Sequence, residues 1–361
     1  MSEHVSEHGT GKPVVYFHVG APKTGTTFLQ RVLWQNREAL RSAGVLYPGD
    51  TFGAHVHAAF DLRKSGFHGY QDPRTSGAWD TIVTQARDWR GRVIISQELF
   101  SPATPTQIDT ALADLSFAEV HLIYTARELS RQIPAAWQED LKNRFTPTFD
   151  EFVTVLRHPD QDRQGLGRMF WRMQDAPAVL ARWSRDLPPA RVHVITVPRR
   201  ADPPDLLWRR FAGTVGIDPD AYDISNAATN TSLGAAEATF LRRLNLDLDD
   251  EVGWPLYNEM VKHHLAQEVL TRRDNQRLTH LQPDDASWAA GRSATMVEGL
   301  SAAGYDIVGS LDDLAPPSGP TEPRTPEQAH VSTEEQLEIA MEAIAALLLR
   351  ISRLRRKVIK P

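Results

Sequence analysis

Short apolar runs and helical stripes take turns along this chain. Val14 to Val19, Val45 to Tyr47, Arg92 to Gln97, Glu119 to Thr125 and Val192 to Val197 are brief β-branched or aromatic runs, the pattern of buried strands. Phe28, Leu29, Val32, Leu33 and Leu40 recur at helical spacing, with Gly44 as the stop. Further helices are predicted over Trp79 to Trp89, from Glu128 to Lys142, and over Phe149 to Leu156, Met169 to Trp183 and Leu206 to Val215. Strands separated by helices predict a parallel sheet joined by crossovers. From Glu237 to Gln276 the pattern is mainly helical, Asp284 to Leu300 adds a segment, and no internal repeat is apparent. Asp50 to Ser76 is rich in Gly, His and polar residues, and Ser232 reads as a helix cap or a polar contact to cofactor or acceptor.

Both ends differ from this middle. Met1 to Lys12 is a polar leader. Pro316, Pro317, Pro320, Pro323 and Pro326 cannot continue a helix and mark a linker. Beyond them Leu337, Met341, Ile344, Leu348, Ile351 and Val358 fall at near-heptad spacing, acids early and bases late, which predicts a dipole-complementing amphipathic helix. An oligomerisation or docking element is favoured over a core helix, with a homo-oligomer as the expected assembly, and a membrane-surface role is the minority reading. The domain plan is thus a leader at 1–12, an α/β domain at 13–312, a linker at 313–331 and a terminal helix at 332–361.

Composition narrows the function classes. Forty basic and 46 acidic residues give a formal charge of −6. A general nucleic-acid or anionic-membrane surface is therefore disfavoured, while a local basic pocket is not. With no cysteine, disulfides, thiolate metal sites and cysteine nucleophiles are excluded. No stretch reads as a secretory core or a membrane span, so the reading is soluble and cytoplasmic. His55 and His57 could share a metal on a strand, but no third ligand stands nearby. A surface or substrate-lining role is preferred, and no metal is assigned.

The chemistry gathers at Val14 to Gln30, VVYFHVGAPKTGTTFLQ. A strand enters a Gly-rich turn and leaves it as a helix; Gly20 and Gly25 let the backbone approach a ligand, and Thr26 and Thr27 stand at the helix N-terminus, where anions bind. A nucleoside triphosphatase loop, or a kinase using magnesium ATP, requires Gly-Lys-Ser/Thr at the loop's end. Here Thr26 follows Gly25, and the lysine is Lys23. Glu98, directly after its strand, should project into the same crevice as a general base, or serve simply as a helix-starting acid. Arg127, at the next strand end, offers a fork suited to a phosphate monoester, or a surface ion pair.

Gly20, Pro22, Lys23, Thr24, Gly25, Thr26, Thr27, Leu29 and Gln30 resemble the phosphosulfate loop of sulfotransferases that use 3′-phosphoadenosine 5′-phosphosulfate (PAPS). The resemblance spans roughly Val14 to Gly216. It implies a P-loop-type three-layer α/β fold and in-line transfer of a sulfuryl group to an acceptor hydroxyl on a small molecule or glycolipid. Lys23 would stabilise the leaving phosphate and Glu98 would act as base. The family carries an arginine on the 3′-phosphate, matched by Arg127, and a serine eight residues later, where this chain has Ala135; Ser130 is the weaker substitute. Trp171, with His55 and His57, would line the acceptor pocket. A non-catalytic nucleotide-binding protein is the alternative, and a P-loop kinase the remoter one.

Overall fold

A computed structural model of the chain describes residues 12–225, 232–274, 276–316 and 331–359. The predicted leader up to residue 11 and most of the predicted linker lie outside these residues. Contacts divide the chain into two compact units, residues 1–128, 171–228 and 293–315 in the first, and 129–170, 229–292 and 316–361 in the second. The sequence reading gathers 13–312 into one α/β domain, whereas these contacts interleave two units along the chain.

The first unit is built on a six-stranded, all-parallel sheet: β1 (Val14–His18), β2 (Val45–Leu46), β3 (Arg92–Ser96), β4 (Glu119–Ala126), β5 (Val192–Thr196) and β6 (Asp306–Val308), in the order β2-β3-β1-β4-β5-β6. Strand register sorts side chains to two faces. Tyr16, Ile94, Ile123 and Ile195 meet helices Thr26–Gln35, Arg37–Ser42 and Leu206–Val215 through Leu29, Val32, Leu33, Leu40, Trp208 and Phe211. On the opposite face Phe17 packs edge-on against Phe100 and Trp183, ring centroids 4.9 and 5.1 Å away, and is stacked near Trp79. Because both faces are covered, the strands need unbroken apolar runs, which is how they are written in the sequence.

Several elements depart from the sequence reading. Phe28 to Leu40 is two helices, because the Asn36 side chain donates to Val32 O and Asp223 O at the break. Met169 to Trp183 divides into Leu166–Gln174 and Ala176–Trp183, where Asp175 caps the Ala178 amide ahead of Pro177. The Asp50 to Ser76 stretch contains helix Ala54–Arg63, so His55 and His57 stand on a helix rather than a strand and, two residues apart, leave it in different directions. Helix Ala235–Leu248 begins after Gly234 with no side-chain cap, so Ser232 is not its cap. Strand β6, three residues long, is fastened by side chains: Thr196 Oγ1 donates to Asp313, and Arg210 donates to Thr196 O and to Asp313.

The second unit is helical. Helix Leu129–Lys142 packs on Phe149–Arg157 and Ala235–Leu248, and the buried Asn245 amide donates to Leu141 O while accepting from Tyr257 Oη at 2.7 Å. The terminal helix, Thr333–Ile359, packs on Ala235–Leu248 and on the π-helical segment Asn258–Val269, burying Ile339 and Ala343. Glu335 and Arg277, Glu342 and Arg273, and Arg350 and Glu259 pair along this seam. The helix is thus an integral part of its unit.

Trp183→Ala tests the aromatic layer beneath β1. Removing a fully buried indole should cost about 3–5 kcal/mol, read as a lower denaturant midpoint. A loss below 1 kcal/mol would show that the layer does not depend on it.

Candidate functional site

Strand order places one crevice. The chain leaves β1 toward β2 on one side, and later leaves β4 toward β5 on the other, so the carboxyl ends of β1 and β4 border the point where the winding reverses. Open α/β sheets bind ligands at such a point. The Gly20 to Thr27 loop follows β1, Glu98 follows β3 and Arg127 follows β4.

Thr125, at the end of β4, anchors the loop. Its amide and its hydroxyl both donate to Gly20 O, at 2.6 and 2.9 Å, and its carbonyl accepts the Ala21 amide at 3.0 Å. Thr24 Oγ1 donates to Ala21 O at 2.5 Å and also meets the Thr125 hydroxyl. Below them His18 bridges Ser96 Oγ at 2.8 Å and Thr125 Oγ1 at 3.3 Å. Burial lowers the His18 pKa to about 4, so the ring is neutral and the cluster carries no net charge.

The loop backbone is special where the sequence has glycine. Gly20 has φ 141° and Gly25 has φ 88°; a Cβ on Gly25 would strike Leu207. Lys23 itself sits at φ 64°, a left-handed conformation that side chains seldom adopt. Gly25 caps helix Thr26–Gln35, whose first internal bond runs from Leu29 N to Gly25 O, so the preceding helical amides point out of the N-terminus. Arg127 Nη1 donates to Lys23 O at 3.0 Å, and Gln174 Nε2 donates to Pro22 O at 3.0 Å. The loop is therefore held from both sides of its apex.

Glu98 opens a single 3₁₀ turn, Glu98–Phe100, and accepts from Gln30 Nε2 at 2.9 Å. Helix Thr26–Gln35 thus ties the carboxylate to the loop that begins it. Tyr47, buried against the His55 ring at 4.5 Å between centroids, has its phenol pKa pushed up by burial and then by the Glu98 charge. The segment after Glu98 is gripped by arginines: Arg63 donates to Leu99 O, Arg172 to Pro102 O and Arg182 to Ser101 O.

The remaining candidates fall elsewhere. His55 is buried rather than on the surface; its Nδ1 accepts the Ser96 amide at 3.1 Å and its Nε2 donates to Pro48 O at 2.7 Å. His57 is half-buried, 3.8 Å from Asp72. Trp171 is half-buried on helix Leu166–Gln174. Ser130 and Ala135 belong to helix Leu129–Lys142 of the second unit. Among the described residues no group of His, Cys, Asp or Glu could hold a metal, and no helix is long and apolar enough to cross a membrane. Two clefts of about 390 and 520 Å³ are lined by other residues, around Arg157 and Asp285 and around Arg37 and Trp89.

His18, Ser96, Thr125, Tyr47 and Gln174 join the site without being singled out by motif, and Gln30, the last residue of the loop motif, gains a contact to Glu98 that the motif did not specify. One signal was available: His18, Ser96 and Thr125 are polar residues at the carboxyl ends of otherwise apolar strands.

Burial holds the His55 pKa, like that of His18, at about 4, against 6.5 for an exposed ring. The unfolded chain then takes up protons below pH 6.5 that the native state refuses until about pH 4. Stability is complete above pH 6.5 and falls as pH drops through this window, by up to about 3 kcal/mol for each ring. Urea titrations at pH 7 and pH 4.5 should show the loss, and His55→Gln should roughly halve it, His18 supplying the rest, whatever the variant's cost at pH 7. An unchanged slope in that variant would count against the neutral, buried assignment.

Compared with protein-family models, with curated proteins and with solved structures, the chain gives no match.

Proposed function

We propose that this chain transfers a sulfuryl group from PAPS to an acceptor hydroxyl, on a P-loop-type three-layer α/β fold. The observation that carries the reading is the Gly20 to Thr27 loop, held rigidly at the β1/β4 crevice, with Lys23 at its apex and an open helix N-terminus behind it. Donors already in place offer stabilisation to an anion without reorganising. Lys23 stands before Gly25 rather than at the helix start, which separates the loop from the magnesium-dependent pattern.

In this reading Lys23 and the amides from Thr24 to Thr27 hold the phosphosulfate and take up the charge that grows on the departing phosphate oxygen. Glu98 accepts the proton of the acceptor hydroxyl as the new oxygen–sulfur bond forms. The sulfur–oxygen bond to the phosphate breaks with its electron pair, and adenosine 3′,5′-bisphosphate leaves. Arg127 supplies a fork to the 3′-phosphate. The acceptor is a hydroxyl of a small molecule or glycolipid, and no metal is called for. The Gln30 bond to Glu98 keeps the carboxylate facing one way, which is what a base acting on a single hydroxyl needs.

Adenosine 3′,5′-bisphosphate should raise the melting temperature, and magnesium ATP should do so weakly or not at all. Arg127→Ala should weaken bisphosphate binding in calorimetry by about 2 kcal/mol more than it weakens adenosine 5′-phosphate binding, any loss common to both coming from the released Lys23 carbonyl. A larger thermal shift with magnesium ATP, or equal losses for the two nucleotides, would defeat the reading.

The mechanism rests on Glu98→Gln, which keeps size and removes the base. Transfer of labelled sulfate from PAPS to 2-naphthol should fall about a hundredfold, with bisphosphate affinity close to the parent's. Near-normal transfer would remove Glu98 from the role of base. Tight bisphosphate binding with no transfer to any hydroxyl acceptor would favour a nucleotide-binding protein over an enzyme.

A further inference from the structure

The terminal helix shows two opposite faces. One, through Gln336, Ile339, Ala343 and Ala346, is turned into the second unit. The other is apolar and open: Leu337, Met341, Ile344, Leu348 and Ile351 are 62, 60, 53, 62 and 43% exposed. Their spacing alternates four and three residues, a period of 3.5 that keeps one seam facing a second helix along its length. At 1.5 Å per residue the seam runs about 21 Å. A helix needed only to cover its own unit has no use for it, and soluble surfaces avoid such stripes unless they meet a partner.

Charge selects the partner. Glu334 and Glu338 lie beside the first half of the stripe, while Arg355 continues its line and Arg356 lies beside that end. Glu335, Glu342 and Arg350 face the seam within the unit and are paired there. Set against a second copy in the antiparallel sense, the acidic end of each stripe meets the basic end of the other, and the two helix dipoles oppose. In the parallel sense every charge would meet its own kind. A two-fold pairing of this type is closed and self-complementary, so it stops at two chains.

We propose that the exposed stripe Leu337, Met341, Ile344, Leu348 and Ile351 is a dimerisation surface that pairs antiparallel with the same helix of a second copy. This does not rest on the sulfotransferase reading. Ten large apolar side chains, five from each helix, leave water in the pair.

Sedimentation equilibrium on the full chain between 5 and 100 µM should give a dimer. Met341→Glu with Leu348→Glu should yield a folded monomer with an unchanged far-UV circular dichroism spectrum and a melting temperature that no longer rises with concentration, since neither side chain is buried within the unit. Arg355→Glu with Arg356→Glu should weaken the dimer at least tenfold, more at low than at high salt, and adding Glu334→Arg and Glu338→Arg should restore it. Because the chain has no cysteine, orientation can be read directly. Leu337→Cys mixed with Arg355→Cys should cross-link with a short bis-maleimide, and Leu337→Cys alone should not. A monomer at every concentration, a dimer indifferent to the stripe variants, or efficient cross-linking of Leu337→Cys to itself would overturn the proposal. A monomer that co-sediments with phosphatidylserine vesicles through the stripe would assign it to a lipid surface instead, and would overturn the proposal too.

Discussion

The first unit depends on one buried hydroxyl. Thr125 closes β4 and, through its amide, carbonyl and side chain, satisfies Gly20, Ala21 and Thr24 while accepting from His18. A buried polar group without partners costs on the order of 1–3 kcal/mol, so every member of the cluster constrains the others. Five groups meeting at one strand end leave the loop a single arrangement. Valine would match threonine in shape and in strand propensity, yet it would remove the hydroxyl that Gly20 O, Thr24 and His18 share, leaving Gly20 O only the Thr125 amide, Thr24 only Ala21 O and His18 only Ser96.

That constraint is also what makes the loop chemically useful. Amides at a helix start attract anions in any protein, but they act selectively only when their directions are set in advance. Here the β-sheet sets them from below through Thr125, while Arg127 and Gln174 hold the apex carbonyls of Lys23 and Pro22 from either side. Gln30, on the same helix, passes the order on to Glu98. The arginines that donate to carbonyls at Leu99, Ser101 and Pro102 steady the segment that carries this carboxylate.

The terminal helix answers two demands with one sequence. Its buried positions are few, Ile339 and Ala343, while Leu337, Met341, Ile344, Leu348 and Ile351 are left outside. An amphipathic helix used once would show the reverse, with its bulk turned inward. Three ion pairs along the inner seam fix its rotation about its own axis and hold the outer stripe in place.

Strands β1 to β5, helix Leu206–Val215 and its Gly216 stop were legible in the sequence because long apolar runs and a left-handed glycine are local signals. So were the loop and the strand-end positions of Glu98 and Arg127, since residue type and position relative to a strand are written in order along the chain. Helix Ala54–Arg63 was not, because its buried residues, His55, Ala58, Ala59, Phe60 and Leu62, do not recur at a clear helical spacing. Strand β6 is too short for periodicity and exists through the Thr196, Arg210 and Asp313 contacts, which join residues about a hundred positions apart. The same limit hid the cluster under the loop: His18, Ser96 and Thr125 each look like an isolated polar residue in an apolar strand until register sets them side by side. Which face of the terminal helix is buried was likewise a tertiary decision. Its period predicted a stripe, but only packing against Ala235–Leu248 and Asn258–Val269 determined that the face of Ile339 and Ala343 went in and the face of Leu337, Met341, Ile344 and Leu348 stayed out.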